Sequence, residues 1–155
     1  MEHRGLRADV RSERLLAASR GRVLVLGDEP RWMTRSDLPL HSFDTVVSVF
    51  ELCRVADVYS SLLRVAELLA PDGQLLVLEH VRTPGWRGRL QDAAAPMWRR
   101  VAGRCRPNRD LVDLLRRNGF AVTDCDRFVV HGANPLLRHA VSAVAIRVVR
   151  NEVVS

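Results

Sequence analysis

Short apolar runs alternate along the chain with longer segments of helical period. Val23 to Leu26, "DTVVSV" at 44–49 and "QLLVLEHV" from residue 74 are apolar on both faces. Strands of a parallel sheet covered on both sides carry that pattern. Between and around them lie helical stripes. Residues 8–19 place Val10, Leu15, Leu16 and Ala18 on a rough apolar stripe that Gly21 closes. Asp57 is the expected N-cap of a helix carrying Val58, Leu62, Leu63, Val65, Ala66 and Leu69, stopped by Pro71 and Gly73 in "APDG". In residues 82–106, Leu90, Ala94, Met97 and Val101 share a helical face, and Pro96 within it predicts a kinked or broken helix. Asn108 is the expected cap of "RDLVDLLRRNG", with Leu111, Leu114 and Leu115 inward and Gly119 at its C-terminal end. "FAVTDCDRFVV" from 120 and "HAVSAVAIRVVR" from 139 complete the set as strands. Strands alternating with helices, with the last two strands joined directly, predict a mainly parallel α/β sheet.

Length and composition narrow the class. The 155 residues form one expected domain, 1–155, and 47% of them are hydrophobic, as in a water-soluble globular chain. No apolar run approaches the ~20 residues of a membrane span, and the polar start "MEHRGLRADVRSERLL" has no signal-peptide apolar core. Cys53, Cys105 and Cys125 are far apart and odd in number, and their spacing fits neither a metal pattern nor a disulfide framework. A reducing cytoplasm is the expected location. The net charge is +6 and every basic residue is arginine. Codon bias explains an all-arginine chain, and an anionic partner is the functional alternative. "RRVAGRCRPNR" lacks interleaved aromatics and any reader motif, so nucleic acid is not the expected partner.

Three stretches, "LPLHSFDTVVSVFELCRVAD", "LLRVAELLAPDGQLLVLEHVR" and "NRDLVDLLRRNGFAV", together resemble the class I S-adenosylmethionine-dependent methyltransferases. The type 11 methyltransferase domain, with its ubiquinone- and menaquinone-biosynthesis-like members, is the group most similar. The likeness covers about residues 21–150 and rests on the order and spacing of its pieces. It implies a Rossmann-like sheet with helices on both faces, S-adenosylmethionine as cofactor and a small-molecule methyl acceptor. In family naming the strand order would be 1-4-5-7-6, that is 23–26, 44–49, 74–80, 139–149 and 120–129. The strand from 139 would be antiparallel, since a short hairpin-like connection reaches it.

The chain departs from the family where the cofactor normally binds. There the first strand runs into a glycine-rich turn and a helix N-terminus that together hold the methionine moiety, and an acidic residue about twenty positions on takes the ribose. Here "GDEPRW" replaces the turn, and only residues 28–41 separate Gly27 from Ser42. A βαβ unit needs roughly 30 residues, so the second and third strands with their helices are missing. The expectation is a methyltransferase-like protein degenerate in cofactor binding. The alternative function is a non-catalytic binding or assembly module acting with a protein partner.

The resemblance assigns Gly27, Asp28, Ser48, Glu51 and Cys53 to the cofactor side. It places Glu79 and His80 at the ligand edge of the third strand, His80 as the candidate general base. The bland readings stand beside these: Cys53 as a small buried apolar residue, Glu79 and His80 as a structural pair, Asp44 as a turn carboxylate holding backbone amides. Trp86, Trp98 and their arginines would cap the acceptor, touch a membrane surface, or lie as an amphipathic helix on the sheet. Arg35, His41, His131 and His139 have no assigned role. The strand at 23–26 should be an exposed sheet edge, covered either by 28–41 folding back through Trp32 and Met33 or by a second chain, identical or different. The second chain is the favoured expectation.

Overall fold

The computed structural model describes residues 7–27, 31–101, 105–131 and 133–148. In chain order the elements are α1 (Arg7–Ala17), β1 (Val23–Val25), β2 (Phe43–Val49), α2 (Val58–Leu68), β3 (Leu69–His80), α3 (Trp86–Val101), α4 (Leu111–Arg117), β4 (Phe120–Val129), a 3-10 turn at Pro135–Leu137 and β5 (His139–Arg147). The five strands form one sheet in the order β1-β2-β3-β5-β4. β1, β2 and β3 are parallel, and β5 runs antiparallel to both its neighbours. This is the expected order, with the expected reversal of the last strand.

The apolar alternation decides which helix covers which face. On one face Leu24, Val46, Leu75, Val77, Val141 and Ala143 pack under α2 and α4, through Val58, Leu62, Val65, Leu111 and Leu115. On the other, Val47, Leu76 and Leu78 meet Leu15 of α1, with Val25, Val49, Phe128 and Val144 half-buried around them. Helices therefore lie on both faces, and the α1 side has the smaller core. Arg11 fastens α1 there, paired with Asp126 at 2.5 Å and lying over the Phe128 ring. Leu15 is buried against the sheet, while Val10 and Leu16 remain exposed.

Several local expectations hold. Asp57 caps α2, accepting from Ser60 N at 3.1 Å and Ser60 Oγ at 2.6 Å. Asp44 is a turn carboxylate: its Oδ2 accepts from Arg22 N at 2.7 Å. Gly21 beside it has φ +60°, and a Cβ there would stand 2.1 Å from Asp44 Oδ2. Gly119 ends α4 with φ +81°.

Others are corrected. Asp110, not Asn108, caps α4, accepting from Asp113 N at 3.2 Å. The Arg109 carbonyl is taken by Arg82 N at 3.0 Å, which holds that residue outside the helix. β3 begins at Leu69 rather than 74: Phe43 pairs with Leu69, the register then shifts, and regular pairing resumes at Gln74. Gly73 allows this, because a Cβ there would meet Ala70 O at 2.8 Å. Leu63 of α2 is exposed, not inward. α3 continues through Pro96 as one helix and turns a different face inward. Gln91 and Ala95 are buried, while Leu90 and Met97 are exposed. The physical reason is polar: Gln91 Oε1 accepts from the buried Thr83 N at 2.7 Å, and alanine at 95 permits close approach.

β1 pairs only with β2, so it is a sheet edge as expected. The segment after β1 sends two side chains into the core. Trp32 is 5% exposed in the same core cluster as Leu24 and Leu26, with Met33 packed alongside. Arg64 Nη2 holds that segment by donating to Arg35 O at 2.7 Å.

Candidate functional site

The C-terminal ends of β2 and β3 meet the loop after β2, and this is where the singled-out residues gather. The central feature is Glu79, fully buried at the end of β3. Its Oε1 accepts from Ser48 Oγ at 2.5 Å, Glu51 N at 3.1 Å and Leu52 N at 3.0 Å. Its Oε2 accepts from Cys53 N at 3.1 Å. Three successive backbone amides and one hydroxyl thus converge on one carboxylate, which makes the loop a nest for an internal anion. Burial pushes the Glu79 carboxyl above its ordinary range, and the hydrogen bonds from Ser48 and from the Cys53 and Leu52 amides oppose that shift. Phe50 enters the loop with φ +54°, a left-handed conformation rare for an aromatic residue.

His80 follows Glu79 in the strand and points the other way. It is half-buried, and its ring stacks on Phe50 with centroids 4.4 Å apart. His80 Nδ1 lies 3.4 Å from Cys105 Sγ and 3.9 Å from Cys53 Sγ. The two sulfurs are hydrogen-bonded to each other at 3.3 Å. Cys53 therefore has partners that its sequence surroundings do not reveal.

Two arginines explain how residues so distant in sequence meet. Arg106 N donates to Cys53 O at 2.7 Å, and Arg106 Nη1 to Ala56 O at 2.8 Å. Arg109 sends its guanidinium to Leu52 O, Val55 O and Ala56 O at 2.9–3.1 Å. These bonds satisfy carbonyls of a loop that has no ladder of its own, and they lay residues 105–109 against residues 51–56.

The electrostatics divide the two thiols. The Cys105 thiol is lowered to about 5, first by its hydrogen bond with Cys53 and then, against its own burial, by His80. The Cys53 thiol is pushed up by that same bond, by burial and by the neighbouring Glu79 charge. The pair accordingly behaves as one titrating unit that shares a single negative charge.

The remaining cofactor-side residues fall close by. A Cβ on Gly27 would lie 3.3 Å from Glu51 Oε1, so the end of β1 and the Glu51 side chain are in contact distance. Glu51 also faces Arg54 at 3.7 Å. Ser48 is fully buried with its hydroxyl committed to Glu79. Asp28 lies outside the described residues. The structure thus brings Gly27, Ser48, Glu51, Cys53, Glu79 and His80 to one edge of the sheet. Sequence reasoning missed Cys105, which sits in a loop with no chemical motif of its own.

A second feature is a groove of about 270 Å³ between the start of α3 and the β4–β5 connection, lined by residues including Trp86, Arg87, Leu90, Arg138 and His139. Trp86 is 67% exposed there. No helix among the described residues is long and apolar enough to cross a membrane.

No protein-family model matches the chain, and no curated protein sequence does. Solved structures do. A SAM-dependent methyltransferase of Thermotoga maritima, described as a possible histamine N-methyltransferase, superposes with TM-score 0.53 at 21% identity, over 74% of this chain and 61% of its own. A putative methyltransferase of Bacillus halodurans gives TM-score 0.58 at 10% identity, over 76% and 69%. The cyclase SpnF gives TM-score 0.61 at 12% identity, over 92% and 80%. The chain spans about three fifths of the Thermotoga protein's length. Its described residues share the α/β fold of these S-adenosylmethionine-dependent methyltransferases, with five strands in the sheet.

Proposed function

We propose that this chain is a methyltransferase-fold protein with little capacity of its own to bind S-adenosylmethionine, and that it works as a binding or assembly module with a protein partner. One observation carries the reading: β1 is joined to β2 by a single short segment and is the edge of the sheet. Trp32, from the segment that follows, is buried in the same core cluster as Leu24 and Leu26. The cofactor needs a glycine turn, a helix N-terminus and a ribose acid on that side. Gly27 alone remains, with Glu51 close against it. The residues present do not make a cradle for the cofactor.

The fold itself is neutral on activity, and SpnF, which shares it, is a cyclase. Assembly draws support from the unpaired side of β1, where Val23 is 38% exposed. A further structural neighbour, from Haloferax volcanii, comes from a complex of the Trm112 methyltransferase activator with a putative methyltransferase. The partner is either a second copy or a different protein, in a cytoplasmic setting.

A second reading, methyl transfer to a small-molecule acceptor, has one observation in its favour. The groove beside Trp86, Arg87 and Arg138 lies in the segment that covers the acceptor in proteins of this resemblance. In that reading His80 and Glu79 are the catalytic candidates.

Thermal melting with S-adenosylmethionine and S-adenosylhomocysteine separates the two. A ligand at a hundred times its dissociation constant stabilises a native protein by about 2.7 kcal/mol. The expected result is no shift at millimolar ligand. A saturable shift of several degrees with micromolar midpoint overturns the proposal and restores the second reading. Light scattering coupled to size exclusion tests assembly, comparing wild type with Val23→Arg. A wild-type dimer that the variant converts to monomer supports the β1 edge; a dimer unmoved by the substitution places the interface elsewhere.

A further inference from the structure

We propose that Cys53, His80 and Cys105 bind one zinc ion through Cys53 Sγ, Cys105 Sγ and His80 Nδ1, with the fourth coordination position open to water or to a small ligand. The site is independent of whether the chain holds a methyl donor.

The first argument is metric. Zinc takes thiolate sulfur at about 2.3 Å and imidazole nitrogen at about 2.0–2.1 Å in tetrahedral geometry. Ligand atoms around such an ion stand about 3.8 Å apart for two sulfurs and about 3.6 Å for sulfur and nitrogen. The three separations found are 3.3, 3.4 and 3.9 Å. All three donor atoms lie within 4.8 Å of one another. Shifts of a few tenths of an ångström in side-chain torsions close the remaining difference.

The second argument is orientation. The ligands do not depend on chance rotamers. The Glu79 carboxylate holds the amides of residues 51–53, which fixes Cys53 from behind. Stacking on Phe50 sets the plane of His80. Cys105 is placed by Arg106, whose amide bonds Cys53 O itself. Supports of this kind behind the ligands are what distinguish a built metal site from a coincidence of donors.

The third argument is donor chemistry. Two thiolates and an imidazole suit zinc and exclude the hard cations that seek oxygen. Their two negative charges balance the ion. A disulfide between the same cysteines accounts for less. Its sulfurs would bond at about 2.05 Å, and the imidazole nitrogen directed at both sulfurs would have no part in it. Among the described residues no fourth histidine, cysteine or carboxylate joins the group. Three protein ligands with an open position is the arrangement of zinc sites that take up a water or a substrate. Cys105 and His80 are half-buried, which leaves the ion an approach from their side.

The test is a cobalt titration of the full chain, reduced with a phosphine and freed of metal by a chelator. One equivalent of cobalt should give the visible bands of tetrahedral cobalt and a near-ultraviolet thiolate-to-metal band, both erased by zinc. Cys105→Ser should weaken binding by roughly a hundredfold or more and reduce the thiolate band, whereas Cys125→Ser, at an exposed cysteine, should titrate as wild type. Should Cys105→Ser fail to fold, alkylation of the wild type gives the same answer: zinc should protect Cys53 and Cys105 but not Cys125, and chelator should reverse it. Absence of a thiolate band in the reduced wild type overturns the proposal. So does protection that persists in chelator and is lost only on reduction, which would mark the pair as a disulfide.

Discussion

Replacing Glu79 by glutamine keeps the size of the side chain and removes one acceptor. In the native site Oε1 serves three donors and Oε2 serves the Cys53 amide. The amide group of glutamine will turn its oxygen to the three donors and its nitrogen to Cys53 N. Two donors then face each other in a site with no exposure. An orphaned buried N–H costs about 1–3 kcal/mol. A cost near 2 kcal/mol lowers the melting temperature of a chain this size by roughly 4–8 °C. The pH dependence gives the reasoning a sign. Burial raises the Glu79 carboxyl above 4.5 in the folded protein. The folded state therefore holds a proton that the unfolded state releases. The wild-type contribution is full below 4.5 and is lost as the pH rises through the folded value. Glutamine does not titrate, so the gap between wild type and Glu79→Gln should narrow as the pH rises. Urea unfolding at a series of pH values measures it. A gap that widens with pH would mean that the four donors outweigh burial, and would refute the account.

Two further outcomes follow from the same structure. Trp32→Ala should cost about 3–5 kcal/mol in urea unfolding, as deletion of a buried aromatic does, and a loss under about 1 kcal/mol would mean that residues 31–38 are not the cover of β1. With chelator present, Cys105, lowered to about 5 by Cys53 and His80, should be alkylated at a rate nearly flat above about pH 6; His80→Ala should move the rise to higher pH, and a rate still climbing through neutrality in wild type would contradict the assignment.

The sheet was legible because its information is local. Each strand is a short apolar run bounded by breakers, and the order follows once the runs are matched to a resemblance. The helix faces were less so. In α3 the apolar residues Leu90 and Met97 look like the inward stripe, but the inward position belongs to a polar residue, Gln91, because Thr83 N needs an acceptor. Hydrophobic period does not register such a demand. The cover of β1 was open between two answers, since one segment rich in charge also carries Trp32, which joins the core cluster of Leu24 and Leu26. The Cys53–Cys105 contact was illegible for a stronger reason. No local spacing encodes it. It exists because Arg106 and Arg109 bond the carbonyls of the 52–56 loop, and arginines in an arginine-rich chain carry no distinguishing mark.

The thiol–imidazole cluster rests on the ends of β2 and β3 and on residues 105–109. Glu79 shows how it is held. Three of the four hydrogen bonds it accepts shape the 51–53 loop, at a desolvation cost that an apolar side chain there would not carry. A loop held at that cost, with Phe50 in a left-handed conformation, is the kind of strain that structures keep where the position of a side chain matters. The side chain so positioned is Cys53, and what it faces is His80 and Cys105.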